Sequence, residues 1–199
     1  MEVRCIRKST GYLEKQKKQQ TVTVGILGVH KGAGVTTMAV ALANYMQGFL
    51  NRKTALYEYN SSADFVKICD SPEESFAYKN VDYYMKRNTE LIRLLNGKYD
   101  VVIIDCGSGM DSLGEFMRCD YKLVLSSLQA WYAKIYERFC QRLKDYAGSD
   151  VWLHILGCDD SLLKGVKRAY GITAIRRPCI DNAYLIDRTM IEFFQTLFA

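Results

Sequence analysis

The stretch ILGVHKGAGVTTMAVALANYM, residues 26–46, decides the fold, because a short apolar run passes through a glycine-rich turn directly into an alanine-rich helical run. Gly32 and Gly34 allow the backbone of the turn to fold tightly and to expose its N–H groups. A helix that begins near Thr36 adds the positive end of its dipole to these donors. The sequence therefore predicts a loop from Gly28 to Thr37 that holds the phosphate tail of a nucleotide.

The alternation of apolar runs and helical runs continues over the rest of the chain, which is typical of βαβ units. The predicted strands, rich in Val, Ile, Leu and Tyr, are residues 21–28, 54–60, 99–106, 121–127, 151–157 and 172–177. The predicted helices are residues 37–50, 89–96, 130–146, 161–170 and 184–198. Residues 61–88 are open between turns, a helix and an exposed aromatic flap. The pattern predicts a doubly wound, mainly parallel α/β sheet flanked by helices, with its ligand at the carboxyl ends of the strands.

Length and composition fit one domain, since 199 residues, 49% of them hydrophobic, can bury a sizeable core. The seven cysteines are odd in number and never spaced as CxxC, which favours buried thiols in a reducing compartment. We find no apolar run of about 20 residues and no leader peptide, so we expect a cytoplasmic protein. Residues 1–20 are predicted to be a basic extension, and residues 21–199 the phosphate-loop domain.

A second candidate site residue is Asp105, which ends the apolar run in KYDVVIIDCGSGM, residues 98–110. An Asp that closes a strand is often only a cap or turn former. Beside a phosphate loop, however, its carboxylate and the hydroxyl of Thr36 are ligands suited to Mg²⁺. Gly107 and Gly109 would let the following segment respond to the terminal phosphate. Thr36 and Asp105 are therefore the predicted metal ligands.

The loop resembles the deviant phosphate loop of the ParA/MinD family of P-loop ATPases, which reads KGGxGKTT. The positions that match through GAGVTT are Gly32, Gly34, Thr36 and Thr37. His30 stands at the family's signature lysine, and Val35 replaces the lysine that contacts the β- and γ-phosphates. Lys31, one residue from the signature position, is the candidate for the missing charge.

The resemblance implies an ATP-dependent switch whose cofactors are ATP and Mg²⁺ and whose subunits dimerise across their nucleotides. The nucleotide-binding candidates that it implies are His30, Lys31, Gly32, Ala33, Gly34, Val35, Thr36, Thr37 and Pro178. The catalytic candidates are Lys31, Asp105, Glu58 and Asn60. Glu58 and Asn60 are included because residues 54–60 resemble the family's second strand, which ends in acidic residues that position the attacking water. The segments Gly157–Asp160 and Arg177–Pro178 resemble those that grip adenine.

Two functions stay open at this point. One is a Mg²⁺-dependent ATPase that acts as a switch on an unidentified protein partner. The other is a degenerate scaffold or interaction module without hydrolysis, favoured by Val35, because an apolar side chain cannot donate to phosphate. A tyrosine kinase built on the same fold is disfavoured, since its tail would be rich in tyrosine and only Tyr184 stands there.

DNA and membranes are weaker candidates as partners. In the last predicted helix Asp187 and Glu192 outnumber Arg188, whereas helices that settle on anionic membranes are usually basic, so packing on the sheet is favoured. The lysines and arginines between residues 164 and 177 are expected to form a solvated face rather than a DNA-binding one. His154 and Cys106 are predicted to be core residues.

Overall fold

A computed structural model describes residues 21–69, 75–86, 90–95 and 98–198 of the chain. The strands in these ranges are β1 Val22–Gly28, β2 Thr54–Glu58, β3 Ser75–Tyr78, β4 Val81–Met85, β5 Val101–Ser108, β6 Tyr121–Ser127, β7 Leu153–Gly157 and β8 Thr173–Arg176. They form one sheet in the order β3-β4-β2-β5-β1-β6-β7-β8. Every neighbouring pair is parallel except β3 and β4. The predicted mainly parallel sheet is confirmed, and the predicted extension 1–20 lies outside the described residues.

The helices flank this sheet. They are α1 Val35–Asn44, α2 Leu91–Leu94, α3 Leu113–Arg118, α4 Ala130–Leu143, α5 Asp160–Tyr170 and α6 Arg188–Leu197. A π-helical turn, Tyr45–Phe49, extends α1, which agrees with the predicted helix to residue 50. Helix α6 begins later than predicted, because Asp187 caps it: its Oδ1 accepts a hydrogen bond from Met190 N at 2.8 Å. Helix α3 was not predicted.

The stretch that the sequence leaves open contains a short 3₁₀ helix, Asp64–Lys67, and a β-hairpin, so its aromatic part is a pair of strands and neither a helix nor a flap. Lys79 and Asn80 join β3 to β4 with φ of 49° and 64°, the left-handed conformation that two-residue hairpin turns require. On β4, Val81, Tyr83 and Met85 are buried, and the Tyr83 ring stacks on a β3 phenylalanine at 4.8 Å. The hairpin therefore extends the sheet beyond β2.

Two hydrophobic layers cover the two faces of the sheet. Helices α1 and α6 pack on one face, where the ring of Phe194 lies 4.9 Å from that of Tyr45. Helix α3 packs so closely on the other face that a Cβ at Gly25 would lie 2.8 Å from the sulfur of Cys119. The predicted packing of the last helix on the sheet is thus confirmed, and no helix in the described ranges is long and apolar enough to cross a membrane.

The two predicted core residues are also buried. His154 on β7 is completely enclosed and its Nδ1 lies 2.9 Å from the hydroxyl of Tyr136, so burial lowers the pKa of the imidazole to about 4. Cys106 on β5 is 1% exposed, and burial raises the pKa of its thiol. Neither side chain is therefore ionised near neutral pH, which agrees with structural roles.

Candidate functional site

A cleft of about 850 Å³ opens at the carboxyl ends of the central strands. One wall is the loop between β1 and α1, and the other is residues 60–67 after β2, here called the Asp64 segment. The residues that line the cleft are His30, Lys31, Gly32, Ala33, Gly34, Val35, Thr36, Thr37, Asn60, Ser61, Ser62, Asp64, Lys67, Gly107 and Ser108. The predicted phosphate loop is therefore one side of an open cavity of ligand size.

The loop has the conformation that its glycines permit. Gly32 and Gly34 have φ of 80° and 87°, in the left-handed region that glycine enters at little cost. Helix α1 begins immediately afterwards at Val35, so its free N–H groups and positive dipole end face the cleft. The guanidinium of Arg177 donates to the carbonyl of Ala33 at 2.6 Å and supports the loop from the far side. This arrangement is suited to holding an anion.

The two predicted metal ligands lie in contact. Thr36 Oγ1 donates to Asp105 Oδ2 at 2.7 Å, while Asp105 Oδ1 accepts from Gly107 N at 2.8 Å and Asn60 Nδ2 at 2.9 Å. Asp105 is completely buried, and burial raises the pKa of its carboxyl, although these three donors oppose the shift. The Thr36 hydroxyl lines the cleft and contacts the buried Asp105 carboxylate, and both are oxygen ligands that Mg²⁺ takes, so this pair fits that ion.

His30 is turned towards the interior of its own chain. Its Nε2 accepts a hydrogen bond from Ser127 N at 3.2 Å, which leaves the proton on Nδ1, 3.0 Å from the carbonyl of Lys31. The imidazole also stacks on the ring of Tyr132 in α4, with centroids 3.7 Å apart. The His30 side chain therefore joins the phosphate loop to α4. The sequence did not predict this contact.

The Val35 side chain is uncharged, unlike the family's lysine, and it is packed into the chain. Its side chain is 7% exposed and packs over Gly28, where an added Cβ would come within 2.8 Å of Val35 Cγ2. Lys31, by contrast, is exposed on the rim of the cleft and makes no ion pair with any described residue. The loop thus offers backbone donors and one exposed lysine to a phosphate tail.

Glu58 and Asn60 accept hydrogen bonds from backbone N–H groups of the Asp64 segment. Glu58 is 2% exposed, and burial, with a contribution from the Asp105 carboxylate, raises its pKa to about 7. Its Oε1 accepts from Asp64 N at 2.6 Å, a hydrogen bond that opposes the shift. Asn60 donates to Asp105, and its Oδ1 accepts from Ser62 N at 2.8 Å. Both side chains have structural partners here, and their catalytic role stays a prediction.

Asp64 and Lys67 are cleft residues that sequence reasoning missed. Asp64 Oδ1 lies 2.5 Å from Lys67 Nζ, and its Oδ2 accepts from Ser62 Oγ at 2.8 Å. The same Oδ2 lies 3.5 Å from Thr36 Oγ1. The Lys67 ammonium is the main reason that the pKa of Asp64 is lowered. The only sequence signal was the spacing of an acid and a lysine three residues apart. That spacing places the two side chains on the same face once a helical turn forms.

The two segments predicted to grip the base meet through one side chain. The Arg177 guanidinium lies between the phosphate loop and the end of β7, with a nitrogen 3.4 Å from the position of a Cβ at Gly157. Pro178, the next residue, is half-buried and is not among the described residues that line the cleft. Its contact with a nucleotide therefore stays a prediction.

No family model matches the chain, and no curated protein sequence matches it. The comparison therefore rests on solved structures. A putative plasmid partition protein from Borrelia burgdorferi, bound to AMPPNP, aligns over 90% of this chain and 97% of its own, with a TM-score of 0.64 and 13% identity. This chain has the ParA/MinD fold. A ParA family ATPase from Chlorobium tepidum gives a TM-score of 0.62 over 82% of this chain and 85% of its own, at 13% identity.

A MinD protein shows the same likeness. The septum site-determining protein MinD of Pyrococcus horikoshii, complexed with Mg-ADP, aligns over 79% of this chain and 82% of its own, with a TM-score of 0.52 and 17% identity. These structures align over 79% to 90% of this chain, and the resemblance noted in the phosphate loop is confirmed at the level of the fold.

Proposed function

We propose that this chain binds a nucleoside triphosphate together with Mg²⁺ in the cleft beside the phosphate loop. The observation that carries the proposal is the contact of Thr36 Oγ1 with Asp105 Oδ2 at 2.7 Å, at the first turn of α1. This contact supports the proposal, because a hydroxyl and a carboxylate are oxygen ligands that suit Mg²⁺ and the N–H groups of the adjacent loop suit phosphate. ATP is the nucleotide we favour, because neighbours of the same fold are bound to AMPPNP and to Mg-ADP.

Different residues of this chain would bind the phosphates, hold the metal ion and orient water. The N–H groups of residues 30–37 would hold the phosphate oxygens, and Lys31 would reach them from the rim. Thr36 and Asp105 would hold Mg²⁺, which supplies positive charge at the phosphates when it is bound. If the bond to the terminal phosphate is cleaved, Asn60 and Glu58 are the candidates for orienting water, and electrostatic stabilisation would supply most of the rate.

We also propose that occupancy of the cleft acts as a switch. Asp105 Oδ1 is shared by Asn60, which belongs to the Asp64 segment, and by Gly107 N, which belongs to the end of β5. Ser112 Oγ donates to Tyr59 O at 3.2 Å and joins the same two regions. A phosphate that pulls on one region would therefore move the other, which could change pairing with a second copy or with a protein partner.

A non-hydrolysing scaffold is the second candidate, and a specific observation favours it. Val35 is packed over Gly28 and His30 is stacked on Tyr132, so two positions that carry lysine in the family carry side chains directed into this chain. Static binding of nucleotide, or none, would leave the exposed surface as the functional part.

Calorimetric titration tests the nucleotide binding on which the switch depends. Wild type and the Thr36→Ala and Thr36→Ser variants would be titrated with ATP and with GTP, each with Mg²⁺ and with EDTA. The switch requires saturable, Mg²⁺-dependent binding that is lost in Thr36→Ala and retained in Thr36→Ser, because serine keeps the hydroxyl. Absence of binding at millimolar nucleotide would leave the scaffold as the function.

A further inference from the structure

The charge of the cleft does not balance that of a polyphosphate. The loop itself provides N–H groups and a helix end, while position 35 is an apolar side chain buried over Gly28. Among the described residues that line the cleft, the cationic side chains are Lys31 and Lys67. A polyanionic ligand therefore needs at least one of them close to its terminal phosphate.

Lys67 is connected to the place where that phosphate would lie. Its ammonium is 2.5 Å from Asp64 Oδ1, and the other oxygen of that carboxylate is 3.5 Å from Thr36 Oγ1. Thr36 in turn donates to Asp105, the buried end of this row of contacts. The amine is thus separated by one carboxylate from the proposed Mg²⁺ ligands, on the wall that faces the loop.

The present partner of Lys67 is easily exchanged. The Lys67 side chain is 75% exposed and that of Asp64 is 32% exposed, and ion pairs between such groups contribute little to stability because water screens them. A lysine stem has four carbons and several rotatable bonds, so the ammonium can swing from one oxygen to another. Hydrogen bonds to phosphate are charge-assisted on both sides and are among the strong ones.

We propose that Lys67, from the wall opposite the phosphate loop, supplies the positive charge at the terminal phosphate that Val35 cannot supply. On binding of a nucleoside triphosphate, its ammonium leaves Asp64 and donates to a γ-phosphate oxygen. The Asp64 segment is thereby drawn onto the loop, so the site is complete only with a triphosphate. This inference rests on the proposed nucleotide binding and adds the residue that reads the γ-phosphate.

The other two cations near the loop are placed less well for this role. Lys31 makes no ion pair with a described residue, and no described contact directs it towards Thr36. The Arg177 guanidinium donates to Ala33 O from outside the loop and is not among the cleft-lining residues. Lys67 is the cation whose contacts lead to the Thr36 hydroxyl.

The test compares affinities for Mg·ATPγS and Mg·ADP by calorimetry, in wild type, in Lys31→Met and in three further variants. Lys67→Met removes the charge, Lys67→Arg retains it, and Lys164→Met removes one exposed charge from α5 as a matched control. We expect Lys67→Met to bind Mg·ATPγS about tenfold to fiftyfold more weakly, with Mg·ADP changed less than about threefold, as for one lost charge-assisted hydrogen bond. Lys67→Arg and Lys164→Met should stay within about threefold of wild type.

The outcomes separate the inference from the proposed function. If wild type binds neither nucleotide, the proposed function is wrong. If wild type binds both and Lys67→Met behaves like Lys164→Met, or loses both nucleotides equally, the role of Lys67 is wrong while nucleotide binding stands. A selective loss of Mg·ATPγS in Lys31→Met instead of Lys67→Met would also overturn it, since the charge would then come from the loop.

Discussion

The two walls of the cleft are built in different ways. The phosphate loop has glycines at its two left-handed positions, and it leads to Thr36, which contacts Asp105, a buried carboxylate with three hydrogen-bond donors. The Asp64 segment has an alanine, Ala63, with φ of 51°, and its Asp64–Lys67 ion pair is open to solvent. The loop is therefore a preformed receptor, whereas the opposite wall is held by contacts that a ligand can replace. We expect mutations in the first wall to abolish binding and those in the second to alter its selectivity.

Asp105→Asn is expected to have the largest effect. The amide removes the charge that would hold Mg²⁺, and it turns an NH₂ group towards one of the three groups that donate to Asp105. We therefore expect about a hundredfold loss of Mg·ATP affinity. Asp64→Asn, the matched change in the other wall, should cost less than about tenfold. Calorimetry measures both, and equal losses would contradict the difference between the walls.

Val35→Lys is expected to strengthen binding at the expense of stability. The side chain borders the cleft, so a lysine can reach the phosphates, and a new charge-assisted hydrogen bond should tighten Mg·ATP binding about tenfold. The melting temperature of the apo protein should fall, because Val35 is 7% exposed and its packing over Gly28 is lost. Val35→Met is the uncharged control of similar length, and an affinity equal to that of Val35→Lys would show that charge is not what position 35 lacks.

Glu58→Gln is expected to remove part of the pH dependence of stability. The pKa of Glu58 is raised to about 7 from 4.5, so the folded state binds a proton more tightly than the unfolded state does. The stability that this group contributes is present below its unfolded pKa and is lost as the pH rises through 7. Glutamine still accepts from Asp64 N but does not ionise.

Melting of the metal-free protein at pH 5 and pH 8 measures this effect. Relative to wild type, Glu58→Gln should gain about 2.5 kcal/mol of stability between pH 5 and pH 8. A difference that stays constant with pH would show that the carboxyl has an ordinary pKa in the folded state.

The smallest effects are expected from exchanging alanine and glycine between the two walls. Gly34→Ala forces a Cβ into a left-handed position with φ of 87° and should cost about 1 kcal/mol of unfolding free energy. Ala63→Gly relieves similar strain but adds freedom to the unfolded chain, so its net effect should be below about 0.5 kcal/mol. Urea denaturation measures both changes, and a large loss in Ala63→Gly would mean that the Asp64 segment is not the adaptable wall.

The sequence predicts the parts of the fold in which local signals agree. Strand β6 has the bounds expected for it, and the strand, loop and helix around Gly32 follow from apolar runs and glycines alone. The hairpin of β3 and β4 was not predicted from the sequence, because its tyrosines suit a helix surface, a flap or a strand equally. Asn80 in its left-handed turn was the signal that could have decided the matter.

The candidate site was predictable to the extent that backbone order determines it. Thr36 and Asp105 meet because parallel strands bring their carboxyl ends to one edge of the sheet. The turn of His30 onto Tyr132 and the pairing of Asp64 with Lys67 depend on side-chain directions after irregular segments. Periodicity in the sequence carries no information about such directions.

Hydrogen exchange on addition of Mg·ATPγS tests most directly the claim that phosphates bind on the loop and draw the opposite wall onto it. We predict slower exchange of the amides of residues 30–37 at saturating nucleotide, together with slower exchange in the Asp64 segment, residues 60–67. With Mg·ADP only the loop should be protected. Unchanged exchange in residues 30–37, or protection confined to another part of the chain, would contradict a nucleotide site on the phosphate loop.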